Sequence, residues 1–515
     1  MDQENVANGL VANRLNRQMV LILALVALIV PLGAGLLAAF KHFDGLYGQD
    51  AFAYYDYAVV SLKQQLYPPP PFFWPPGYPL LVLATSLVVG VTPFAGMLVS
   101  LICGWLTAFC TMLITAELSP IRGYFAPIVA GLVIGLAGQM WQSSNVIMAD
   151  TASLAAATLG MWAVIHYARS EKPHGGWLAL AAGAIAYAMI CRWIYVAVAV
   201  VVAPYALWRL IKLARATSPR IAIRHALIAA LAAGLILAPV LIATFGTSAS
   251  EPPTYGGNFQ YQLVQWDLFN AFRRSFVNPD GQQTFPLPNG IYYASLPFRT
   301  FYLTPLLTPL ALVGLWVIAR RKQLLPFLPL LAWGIAAYLL LVGEPEQNVR
   351  FTLTYLPPIV VLIGIGAAAL WIWFKSVPVA RGALILMLVG GFAWQTVSAV
   401  RYTSEFIDRK EQMLDVVEWT QAQLPAESQL ITLGPTLMMR HYTPIETHEI
   451  YYLTDADLER LTALPRPTYL LLDLYNVETQ WQGRSPSLNY HWLRDHTSLQ
   501  KIGESGGYTL FEIRE

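Results

Sequence analysis

Charge is scarce in this chain. Of its 515 residues only 12% are Asp, Glu, Lys or Arg, against 56% hydrophobic, where an ordinary soluble domain carries about 25% charged residues. The net charge of +2 is far from the basic excess that nucleic-acid binding demands. Cysteine is scarcer still. Cys103, Cys110 and Cys191 all lie inside apolar runs, too far apart for a disulfide framework or a metal-ligand spacing. They read as small apolar packing residues. The chain shows no internal repeat of the kind transporters carry. Its tail has neither a nucleophile elbow nor a glycine-rich phosphate loop.

What the sequence has instead is long apolar runs. A membrane-spanning helix needs about 20 apolar residues. Runs near 19–40, 94–117, 124–142, 150–167, 177–191, 193–209, 226–245, 300–319, 325–342, 352–374 and 383–400 predict about eleven spans. The first is too long for a signal peptide and lacks a cleavage site, so it reads as an uncleaved helix. The run at 78–90 is too short to cross and is expected to lie at, or dip into, the outer face. Basic residues then fall on one side: Arg14 and Arg17, Arg122, Arg169 and Lys172, the cluster Arg209 to Arg224, Arg320 to Lys322, and Lys375 with Arg381. Excess positive charge marks the cytoplasmic side. The expectation is a multi-pass protein of the plasma (inner) membrane, N-terminus cytoplasmic and C-terminus outside.

The fold class that follows is an all-α polytopic membrane protein with a small C-terminal extracytoplasmic α/β domain. Residues 1–400 form the membrane domain, with outer loops 41–93 and 246–299, and 401–515 form the tail. Within the second loop, NFQYQLVQWDLFNAFRRSFV predicts an amphipathic interfacial helix. PPPPFFWPPGYP in the first reads as a stiff tether. In the tail, EQMLDVVEWTQAQLP has helical spacing, and SQLITLG, PTYLLLDLY and GGYTLFEI read as strands. TDADLERLTAL opens with a helix-capping pattern.

The few ionisable residues at the outer edge of the spans are the candidates for chemistry, because charge in or at a membrane is costly. Asp44, Asp50 and Asp56 lie in KHFDGLYGQDAFAYYDYA after the first span. Asp150 opens the fourth helix, Arg192 divides the fifth from the sixth, and Arg350 precedes the tenth. Two guanidiniums can neutralise a phosphate leaving group by bidentate contact. A carboxylate near the interface can take a proton from an acceptor hydroxyl. Asp50 is the first choice for that base, because the surrounding aromatics suit stacking on a sugar, and Asp150 would orient the acceptor or the base. Asp44 and Asp56 equally suit capping or solvated-loop roles. Asp150 also suits a helix cap, and the arginines suit headgroup contact.

Taken in order, YGQDAFAYYDYA, FFWPPGYPLL, MADTASLAAATLGMW, CRWIYVAVAVVVAP and NVRFTLTYLPPIV resemble the GT-C glycosyltransferases. The nearest branch holds the dolichyl-phosphate-mannose protein mannosyltransferases and the lipid A aminoarabinose transferases. The resemblance implies a catalytic aspartate at Asp50 and a second at Asp150. It implies a polyprenyl-phosphate sugar donor and inversion at the anomeric carbon. Two departures stand out: Ala51 follows Asp50 where the mannosyltransferases have an Asp-Glu pair, and Trp74 stands where aminoarabinose-type enzymes often have a lysine. Donor phosphate then falls to Arg192, Arg350 or Lys63, and sugar or acceptor contacts to Asp44, Tyr54, Tyr55 and Trp74. The acceptor, whether protein, lipid or glycan, is left open, as is a divalent cation, which the oligosaccharyltransferase branch uses. The other reading is a non-catalytic scaffold or accessory subunit of a membrane complex; a transporter comes third.

Overall fold

The computed structural model describes residues 16–66, 72–245, 265–278, 280–322, 324–425 and 427–514. The proline run at 68–71, expected to be a tether, lies outside these residues. Among the described residues, seven helices are long and apolar enough to cross a membrane: Arg17–Phe40, Pro93–Leu118, Trp193–Ala216, Pro219–Ala243, Leu324–Gly343, Val349–Ser376 and Pro378–Gln423. Phe125–Gly135 and Gly138–Asn145 meet at 61° and make an eighth if they form one broken span. The remaining expected spans are helical but short, as at Gly175–Cys191 and Pro309–Arg320, or more polar, as at Ala149–Arg169. The stretch 300–308 is turn instead of helix. Pro309 sits in the first turn of the helix that follows, where its missing N–H costs nothing. Gly77–Val89 is the expected short helix.

The first helix shows how sequence becomes packing in lipid. Met19, Leu23, Ala27, Val30, Ala34 and Ala38 are buried, a stripe at helical period. Leu21, Leu25, Leu32 and Leu36 on the other faces are exposed and suit lipid chains. The stripe packs closely: a Cβ on Gly33 would come within 2.2 Å of the Trp141 ring. Trp105 Nε1 donates to the Ala24 carbonyl at 3.0 Å.

The expected amphipathic helix at 258–277 is corrected where it is described; residues 258–264 lie outside the described residues. Asp267 caps a short 3-10 turn, Leu268–Phe272, by accepting from the Phe269 amide at 3.0 Å. The chain then pairs as an antiparallel hairpin, β1 (Ser275–Asn278) with β2 (Gly281–Thr284). Phe276 and Asn278 turn inward and Val277 outward, the two-residue period of a strand.

The tail carries a mixed sheet: β3 (Gln429–Thr432), β4 (Glu446–Glu449), β5 (Thr468–Leu472), β6 (Ser498–Ser505) and β7 (Tyr508–Arg514). Its order is β4-β3-β5-β7-β6. β3 runs parallel to β4 and β5, and β7 antiparallel to β5 and β6. β5 is buried along its whole length, as a central strand should be. Helix Asp455–Thr462 starts with a capping box between Thr454 and Asp457. The helix Pro378–Gln423 runs unbroken from the bundle to the sheet, so residue 400 falls inside it.

The tail closes over the first loop through one buried polar knot. Lys410, 5% exposed, donates from its amine to Asp44 Oδ1. Tyr442 donates to Asp44 Oδ2 at 2.6 Å, and the Leu46 amide donates to Asp44 Oδ1 at 2.9 Å. Lys41 pairs with Asp408 at 2.7 Å beside it. Phe52 meets the rings of His441 and Tyr442, and Tyr47 meets Phe406. Asp44→Ala leaves the Lys410 charge buried and unpaired, so it should destabilise the protein by about 3 kcal/mol. The double variant Asp44→Ala/Lys410→Met should recover most of that in thermal unfolding; equal melting temperatures for wild type and Asp44→Ala would refute the knot.

Candidate active site

Two carboxylates enter the site from the first turns of helices, where the helix dipole favours negative charge. Asp50 lies in the first turn of Gly48–Asp56, and Asp150 in the first turn of Ala149–Arg169. Both arginines sit where regular helix fails. Arg192 is extended between the end of Gly175–Cys191 and the 3-10 turn Trp193–Tyr195. Arg350 lies in a 3-10 segment, Val349–Tyr355, whose start is capped by Asn348 accepting from the Arg350 amide at 3.2 Å.

The structure brings these together as two ion pairs. Arg350 Nη2 donates to Asp50 Oδ2 at 2.7 Å, and Arg192 Nη1 donates to Asp150 Oδ1. Both guanidiniums lie against the Phe351 ring, at 4.8 and 5.6 Å from its centroid. Arg350 also touches the sulfur of Met148, the residue before Asp150's helix. Tyr54 is buried and within electrostatic reach of all four charges; burial pushes its phenol well above the ordinary value. Asp150 Oδ2 and Arg350 Nε are buried and make no hydrogen bond among the described residues. Such unmet capacity is expensive in a folded protein and suits a ligand.

The remaining expected site residues divide. Trp74 lies over Tyr54 at 5.1 Å with a 32° tilt, which keeps it beside the charges. Tyr55 turns the other way, toward the His441 ring at 6.0 Å. Asp44 belongs to the knot with Lys410 and Tyr442, and Asp56 lies within reach of His441 and Arg440. Lys63 is exposed on the short helix Leu62–Gln64, and no ion pair joins it to the cluster among the described residues. Among the described residues, no three His, Cys, Asp or Glu converge as a metal-binding group.

The sequence reading missed the loop that aims Arg350. Residues 344–349 are gripped by the second outer segment. Asn289 donates to the Glu344 carbonyl at 2.6 Å, Asn278 to that of Pro345 at 3.1 Å, and Gln347 to that of Leu287 at 2.6 Å. Tyr293 donates to the Glu346 carbonyl and accepts from the Asn348 amide, both at 3.1 Å. Two acids lie there. Burial raises Glu346 against the pull of Arg350. Burial and the Glu346 charge push Glu344 up to about 8. The signal was available, since GEPEQNVR places Glu344 and Glu346 just ahead of Arg350.

Beside the ion pairs is a cavity of about 320 Å³, lined by Asp50 and Arg350 together with uncharged residues of Gly138–Asn145 and Phe406 of the long helix.

Long apolar helices with a sheet-bearing tail give this chain the GT-C fold, shared with the solved structures that follow. Among solved structures, ArnT from Cupriavidus metallidurans bound to undecaprenyl phosphate matches with a TM-score of 0.60 at 14% identity, over 94% of this chain and 97% of that one. AglB from Archaeoglobus fulgidus, an oligosaccharyltransferase in complex with an inhibitory peptide and a dolichol-phosphate, matches at 0.52 and 13%, over 95% and 73%. The arabinofuranosyltransferase AftD from Mycobacteria matches at 0.51 and 14%, over 97% and 40%. No protein-family model and no curated protein matches the sequence.

The Glu344 carboxyl gives a pH test. Its folded value, about 8, exceeds its ordinary 4.5, so the folded state holds the extra proton between them. Stability is therefore greatest below about 4.5 and falls as pH rises through about 8. The melting temperature should drop from pH 5 to pH 8 in wild type, and Glu344→Gln should flatten that slope. An unchanged slope in the variant would show that the carboxyl does not titrate in this window.

Proposed function

We propose that this chain is a glycosyltransferase that moves a sugar from a polyprenyl-phosphate-linked donor to an acceptor at the outer face of the plasma membrane, with inversion. The observation that carries the reading is the convergence of Asp50, Asp150, Arg192 and Arg350, distant in sequence, into two ion pairs at one end of a GT-C bundle.

The chemistry fits those four side chains. An acceptor hydroxyl oxygen attacks the anomeric carbon while the bond from that carbon to the phosphate oxygen breaks. Its electron pair leaves with the polyprenyl phosphate. Asp50 takes the hydroxyl proton. The departing phosphate is already a weak base, so it needs neutralisation more than a proton. Arg192 and Arg350 supply it, with Asp150 fixing Arg192 in place. Arg350 donates to Asp50 at 2.7 Å. Donor phosphate competes for the guanidinium and frees the carboxylate to act as base. Trp74 over Tyr54 offers an aromatic wall beside the charges.

The outer-face placement rests on the helix Ala149–Arg169. Its 21 residues rise about 30 Å at 1.5 Å each and put Asp150 and Arg169 at opposite ends. Arg169 lies 3.9 Å from Glu117, and Arg321 donates to the Pro120 carbonyl at 3.3 Å. These basic loops therefore gather at the end remote from the site, as a cytoplasmic face would.

Asp50→Asn should lower kcat for sugar transfer by about 10²–10⁴-fold. The donor KM should not rise, because the substitution removes a competitor for Arg350. Reconstituted protein with a labelled polyprenyl-phosphate sugar provides the assay. Full transfer by Asp50→Asn would remove the base assignment. Wild type that never transfers sugar but co-purifies stoichiometrically with membrane partners would establish the scaffold reading.

A further inference from the structure

We infer that the 320 Å³ cavity next to Asp50 is an acceptor subsite built for an uncharged sugar, so that the acceptor is a glycan hydroxyl. The word acceptor rests on the glycosyltransferase reading; the chemistry of the cavity does not.

Three features of the lining support this. The first is charge. Among the described residues, Asp50 and Arg350 are the only charged ones in the lining, and the single cation is committed to Asp50 or, in the reaction, to the donor phosphate. A phosphate or carboxylate on the acceptor would need a cation to itself, and the cavity offers none. The second is hydrogen-bonding type. Gln49, Gln139, Gln142, Ser143 and Asn348 line the wall. Amides and hydroxyls both donate and accept, as sugar hydroxyls do. Several are already partly engaged: Gln139 accepts from Tyr402 and donates to Ser143, each at 3.1 Å, Gln49 donates to Glu449 at 3.3 Å, and Asn348 accepts from the Arg350 amide at 3.2 Å. The Gln142 side chain, one turn from Gln139 on the same helix, makes no hydrogen bond among the described residues although it is only partly exposed. The third is shape. Tyr47 and Phe406, 4.8 Å apart and nearly perpendicular, form an aromatic wall. The volume is at the small end of the ~300–1,000 Å³ of small-ligand sites, suited to a terminal sugar with the rest of its glycan outside.

The position supports it as well. Asp50 borders both the ion-pair cluster and this cavity. A hydroxyl bound in the cavity would present its proton to Asp50, and neither Arg192 nor Asp150 is among the lining residues. A sugar ring can offer one hydroxyl to Asp50 and a neighbouring one to Gln142 at once, so the glycan is favoured over a single peptide hydroxyl.

The test is direct binding to the full chain in lipid nanodiscs, with undecaprenyl phosphate present to engage Arg350, by saturation-transfer NMR titration. The probes are the methyl glycosides of glucose, mannose and galactose, glucose 6-phosphate, and N-acetylthreonine amide. At least one neutral glycoside should bind, and Gln142→Leu should raise its Kd about tenfold, roughly one charge-free hydrogen bond. Phe406→Leu, in the aromatic part of the lining, should weaken it too and serves if Gln142→Leu does not fold. The proposal is overturned if no neutral glycoside binds, if glucose 6-phosphate or the threonine amide binds more tightly than every glycoside, or if both variants bind as wild type does. These outcomes are separate from the glycosyltransferase reading. Transfer to a phosphorylated acceptor would keep that reading and discard this one, and a wild type that binds neutral glycosides yet never transfers sugar would do the reverse.

Discussion

Two crossed carboxylate–guanidinium pairs, Asp50 with Arg350 and Asp150 with Arg192, are the constraint on which the rest of the structure depends. Pairs that are largely shielded from water recover only part of the desolvation they cost. They are therefore poor candidates for mere stabilisation, and apolar replacements would serve a scaffold at least as well. Their unmet atoms, Asp150 Oδ2 and Arg350 Nε, point the same way. The four side chains are held in register by a shared ring, Phe351, and by the contact of Arg350 with Met148.

Much of the surrounding architecture holds those pairs in place. The sheet-bearing tail grips the first loop through Asp44, Lys410 and Tyr442, and so fixes the approach to the helix that carries Asp50. The Gly45 carbonyl accepts from the Ile147 amide at 3.0 Å, which ties that loop to the chain leading into Asp150. The second outer segment performs the same service for Arg350 through Asn289, Asn278 and Tyr293. Two soluble-looking segments thus act as clamps on a site whose charged residues come from the first turns of helices and from breaks between them.

The sequence made the charged residues legible because apolar surroundings isolate them: Asp150 and Arg192 stand out in runs that otherwise carry no charge. β3, β5 and β7 were legible for a related reason, their apolar character marking strands that pack in the sheet. β4, reading ETHE, and β6, reading SLQKIGES, were not, because both are edge strands whose polar side chains carry no alternation to read. The hairpin of β1 and β2 was hidden by aromatics that mimic a helical period, and the Asp267 cap decided otherwise. The roles of Asp44 and Tyr55 turned on tertiary contacts with residues about 370 to 400 positions away, which no local pattern encodes. Glu344 and Glu346 were visible beside Arg350, yet their burial was not.

The central claim is that the two guanidiniums hold a lipid phosphate. It is tested most directly by titrating undecaprenyl phosphate into the reconstituted wild type, Arg192→Met and Arg350→Met. Each substitution should weaken binding at least about tenfold, or ~1.4 kcal/mol, with the fold intact by thermal unfolding. Wild-type affinity in both variants would contradict the account.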